Sequence, residues 1–151
     1  MADELISHLR AALQLATDAE SKRLRTWWDG HDAAHRARVE MLVPAIQSLE
    51  SLRAETLSTP GLQITIPAHG GTSTIELQSG SAWQNFVLST SHDNSKFQLE
   101  HSYTELHGDN ESWERTHESS DVAELLSIVV EAIGKHIASQ QVLEERNRSV
   151  V

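Results

Sequence analysis

Between Leu62 and His117 the spacing of the apolar residues changes from helical to alternating, and beyond His117 it changes back. Apolar residues three and four apart line one face of a helix, whereas strict alternation belongs to a strand with one buried face. This double switch predicts an α+β chain: about 57 residues of helical pattern, a block of short strands, then one amphipathic helix. No catalytic signature sits at either switch.

In the first part, Leu5, Ile6, Leu9, Ala12, Leu13 and Ala16 form a single helical stripe. Trp27-Trp28-Asp29-Gly30-His31-Asp32 follows, with an Asp-Gly turn signal and Asp32 able to cap a new helix. An interior glycine costs a helix only about 1 kcal/mol, so this stretch fits either a break at Gly30 or an uninterrupted rod. Trp28, His35, Leu42 and Leu49 recur seven apart, the seam of a helix packed on another helix. Pro44 lacks an N–H and clashes with the preceding turn, which predicts a kink or a fresh start there. The expectation is two or three helical pieces ending at Ser58-Thr59-Pro60-Gly61. Their apolar stripe exceeds what one sheet can cover, which predicts a homo-dimer or higher oligomer assembled through Leu5 to Ala16 and Trp28 to Leu52.

Strand signals come next: Leu62, Ile64 and Ile66; Ile75 and Leu77; Trp83 to Leu88; Phe97, Leu99, His101 and Tyr103; Trp113, Arg115 and His117. The connections Gly70-Gly71, Ser79-Gly80-Ser81, His92-Asp93-Asn94 and Gly108-Asp109-Asn110 are too short for crossover helices, so the sheet is expected to be an antiparallel meander of about five strands. Its apolar face needs a cover. Val122, Leu125, Leu126, Val129, Val130, Ile133 and Ile137 supply one, on a helix that Ser120 or Asp121 can cap. Residues 1–57 thus read as a helical oligomerisation segment, and 58–151 as the sheet with its C-terminal helix.

Charge narrows the functional classes. The formal net charge is −10, divided as −2 over residues 1–57, −6 over 58–118 and −2 over 119–151. Such a balance argues against nucleic acid, whose nonspecific affinity comes from Lys and Arg. No cysteine is present, which excludes a disulfide framework, a thiolate nucleophile and cysteine-ligated metal sites. The opening MADELISHLR has acidic residues where a secretory signal carries basic ones, and no stretch has the roughly 18 apolar residues of a membrane span. A cytoplasmic protein without membrane contact is expected.

The sharpest local constellation is His31 and His35, two imidazoles one helical turn apart that can share a metal ion, with Asp32 between them. Gly30-His31-Asp32 with the trailing His35 resembles the core of the HD phosphohydrolase motif, with His8 as an upstream ligand. That family's fold is all helical, whereas the middle of this chain reads as strands. His35 also falls in the packing seam, which gives the pair an ordinary place at a helix interface. No Gly-x-Ser-x-Gly elbow and no phosphate-binding glycine loop is found.

Trp27 and Trp28 point about 100° apart on a helix, so one belongs to a core and the other to an exposed or interfacial position. Glu76, Glu100, Glu105 and Glu114 place acidic charge on the polar side of the sheet. His101 and His117 alternate in phase with Phe97, Leu99, Tyr103 and Trp113, which predicts partial burial with a hydrogen-bonding partner.

These features favour a non-catalytic oligomeric interaction module, an adaptor, chaperone-like or inhibitory protein that needs no cofactor and presents an acidic sheet surface to a basic protein partner. One alternative is a metal-dependent hydrolase using His31 and His35. Another is a small-molecule binder with a pocket between sheet and helices, lined by Trp83, Phe97 and Tyr103.

Overall fold

The computed structural model describes residues 2–67, 71–106 and 111–149. His69, Gly70, His107, Asp109, the Gly108-Asp109-Asn110 turn and the last two residues lie outside this set. The order of elements is α1 (Ala2–Glu55), β1 (Leu62–Thr65), β2 (Ser73–Ser79), β3 (Ala82–Thr90), β4 (Phe97–Glu105), β5 (Ser112–Ser119) and α2 (Val122–Ser149). The chain divides into two units, Met1–Ala37 and Arg38–Val151, so the second includes the last turns of α1.

In the first unit every described residue is helical and every side chain from Ala2 to Ala37 is exposed. Thr17 and Thr26 turn their hydroxyls back onto the carbonyls of Leu13 and Lys22, and Glu20 pairs with Arg23. Gly30 sits inside the helix without ending it.

The second unit holds the core. The five strands run β1-β2-β3-β4-β5 as an antiparallel meander, as the short connections require. Ser79 pairs with Ala82, leaving Gly80 and Ser81 as a two-residue turn. Gly80 supplies the positive φ of 60° that such a turn needs at its first central position. Ile75, Leu77, Phe86, Leu88, Phe97 and Leu99 project from one face of the sheet and are buried against Leu125, Val129 and Ile133 of α2 and Leu42, Ala45 and Leu49 of α1. Each such side chain withdrawn from water contributes about 1.5 to 3 kcal/mol. Asp121 caps α2, its Oδ1 accepting the Ala123 N–H at 3.0 Å.

Three expectations are corrected here. Helix α1 is one element through Gly30 and Pro44 rather than two or three pieces. Pro44 removes a donor from the Glu40 carbonyl, but Glu40, Val43 and Pro44 all lie on the exposed side, where a carbonyl without a helical donor is open to solvent. Leu42, Ala45 and Leu49 hold the opposite side in the core. The second concerns the Trp28 to Leu52 stretch expected at an oligomer interface, of which Leu42, Ala45 and Leu49 lie inside the chain's own core. The third concerns Trp27 and Trp28, which are 57% and 54% exposed, so neither is a core residue of the single chain.

Candidate functional site

The face of the sheet that meets α2 is apolar only over part of its area. Strand register brings Phe86, His101 and Arg115 into one transverse row, with Gln84, Tyr103 and Trp113 on one side of it and Leu88, Leu99 and His117 on the other. Three strands that each alternate apolar with polar therefore place a polar, aromatic corner beside the apolar core.

His101 is the hub of this corner. Its ring stacks on Phe86 with centroids 4.0 Å apart and meets the edge of Trp113 at 4.7 Å. Its Nε2–H donates to Gln84 Oε1 at 2.9 Å. Trp113 also stacks on Tyr103 and carries the Arg115 guanidinium 4.3 Å from its ring centre, a cation–π contact. Tyr103 donates its hydroxyl to Glu105 at 3.0 Å, which raises the phenol's pKa. Burial lowers the pKa of His101, and the nearby His117 and Arg115 lower it further.

Over this corner lies a cavity of about 350 Å³. Ser79, Gln84, His101, Arg115 and His117 form its floor, while Ile128, Glu131, Ala132, Lys135, His136 and Ser139 of α2 form the other wall. His136 is buried, and its Nε2–H donates to the Pro60 carbonyl at 2.7 Å, tying α2 to the turn before β1. A carbonyl only accepts, so Nε2 carries a proton.

The opposite face of the sheet is open. Glu76, Glu100, Glu114 and Glu118 all lie on it and are exposed. Among the described strand residues that face carries no Lys, Arg or His. Glu105 is not part of it: it pairs with Ala82 and alternates in phase with Tyr103, on the side of α2. Trp83 stands on the open face, 38% exposed, and Phe97 is in the core, so neither lines the cavity.

His31 and His35 are exposed on α1, in the first unit. The His31 ring lies flat against Trp27, with centroids 5.4 Å apart and planes at 4°, and Trp28 meets Trp27 edge-on at 4.8 Å. Among the described residues no three His, Asp or Glu side chains come together that could hold a metal ion. No described helix is long and apolar enough to cross a membrane.

Of the polar corner, His101 and His117 are legible in the sequence through their phase with apolar neighbours. His136 had a signal too, since it continues the α2 stripe of Leu125, Val129 and Ile133. Arg115 alternates with Trp113 and His117 and shares their signal, whereas Lys135 had none, because only the seating of α2 brings it to the same cavity. Comparison of the chain with protein-family models, with curated proteins and with solved structures finds no match.

Proposed function

We propose that this chain is a non-catalytic, homo-oligomeric interaction module. In this reading residues 2–37 of α1 pair with a second copy, and the open acidic face of the sheet receives a basic protein partner. The observation that carries the reading is the exposure of the first unit. Leu5, Leu9, Leu13, Leu15, Trp27 and Trp28 are each more than half exposed in the single chain. Helices in water owe most of their stability to packing of an apolar face, and Leu5, Leu9, Leu13 and Trp27 share one side of this helix, where exposed apolar residues mark an interaction site.

Charge selects the occupant and its direction. Asp3, Glu4 and Asp18 outweigh Arg10 in the first half of this unit, whereas Lys22, Arg23, Arg25 and Arg36 outweigh Glu20, Asp29 and Asp32 in the second. A parallel pair in register sets like charge against like. An antiparallel pair centred near Ala19 and Glu20 instead lays the acidic half of one copy along the basic half of the other. Unlike net charge on the two facing halves favours this partner and orientation.

Light scattering during gel filtration tests the reading. The chain at micromolar concentration is expected to show twice the 16.8 kDa of one copy. An L9E/L13E double variant is expected to run as a monomer. A wild-type monomer overturns the proposal.

A further inference from the structure

The cavity between the sheet and α2 gathers basic side chains in a chain whose net charge is −10. Arg115, Lys135 and three imidazoles line it. The lining's one carboxylate among the described residues, Glu131, is turned along α2 to Lys135 at 3.2 Å, and both side chains stand at the exposed rim. No carboxylate pairs with Arg115 among the described residues. Its guanidinium rests on the Trp113 face, a contact that uses the π surface and leaves the N–H donors free.

We infer that this cavity is a binding site for a small molecule bearing an oxyanion, a phosphate or a carboxylate, held by Arg115 and His117 from the sheet and by Lys135 from α2. A volume of about 350 Å³ lies within the range of sites for small molecules, roughly 300–1,000 Å³. Guanidinium N–H groups form a fork matched to two oxygens of a carboxylate or phosphate, and protonated imidazoles add charge-assisted donors. Ile128 and Ala132 give the opposite wall an apolar surface for the rest of the molecule.

The charges around His101 add a signature that a merely structural polar corner lacks. From β5 it faces Arg115 and His117, and across the cavity stand Glu131, Lys135 and His136. Burial and its two basic neighbours on β5 lower the imidazole's pKa. A bound anion reverses that balance. Binding is therefore coupled to proton uptake, and the His101 titration midpoint moves upward when the site fills.

The test is NMR of the histidine imidazoles in the full chain, titrated with inorganic phosphate and separately with acetate, each against sodium chloride at matched ionic strength. At least one of the two anions is expected to shift His101 and His117 saturably and to raise the His101 midpoint, and whichever saturates identifies the favoured oxyanion. Arg115→Gln is expected to weaken binding at least about tenfold and Lys135→Gln about threefold, as loss of charge-assisted hydrogen bonds implies. Glu76→Gln, on the opposite face of the sheet, is expected to leave affinity within about twofold. Arg115 is exposed, and an unchanged melting temperature confirms that its variant stays folded. Shifts reproduced by chloride alone, failure of both anions to saturate, or an unaltered affinity in Arg115→Gln overturns the inference.

Discussion

Gly61 and His136 meet at one corner of the fold, and each is there for a reason that can be stated in atoms. Gly61 has φ of +73°, and a Cβ built on it lies 2.2 Å from the carbonyl oxygen of Gln78. The close approach has a purpose, because the Gly61 carbonyl accepts the Gln78 N–H at 2.7 Å and so starts the pairing of β1 with β2. His136 closes the same corner from α2 through the Pro60 carbonyl. Gly61→Ala is therefore expected to destabilise the protein by at least about 2 kcal/mol, combining an unfavourable φ with a backbone clash. Urea unfolding measures it as a lower midpoint at unchanged slope. The Pro-Gly pair was legible as a turn that ends the helical part. That the glycine also seats a strand was not, since the Gln78 carbonyl comes from a residue that only the meander brings near.

At the scale of elements, the strand block and α2 were readable because their signals are local and agree with one another. Alternation, short turns and one apolar stripe all point to a sheet covered by a helix, which is the arrangement found. Helix α1 was harder, since Gly30 and Pro44 are breakers by propensity while the packing of Leu42, Ala45 and Leu49 is a tertiary effect. The two faces of the sheet divide the functional claims cleanly. Alternation fixed that Glu76, Glu100 and Glu114 share a face, but Glu105 has the parity of Tyr103 and belongs to the other. An Arg-rich peptide is expected to bind the open face with affinity that falls as salt rises, and a triple Glu76, Glu100, Glu114→Gln variant to lose at least about tenfold. Fluorescence anisotropy with a labelled peptide reads both effects. Binding that is indifferent to salt, or to the triple substitution, removes the acidic face from the account.

For the whole molecule, the charge map separates three roles: a first unit with an acidic beginning and a basic end, an acidic open sheet face, and a basic cavity beneath α2. The first two could be read from composition along the chain. The third could not, because Arg115 and Lys135 belong to stretches that are acidic on average, and the fold selects them out of those stretches. The central claim is that a second copy covers residues 2–37 in antiparallel register. The absence of native cysteine makes it directly measurable by pulsed electron spin resonance on single spin labels at Ser7→Cys and, separately, Ala19→Cys. With a helical rise of about 1.5 Å per residue and helix axes about 10 Å apart, the expected distances between copies are about 40 Å for the Ser7 label and about 10 Å for the Ala19 label. Short distances at both sites, or no coupling between copies at either, would contradict it.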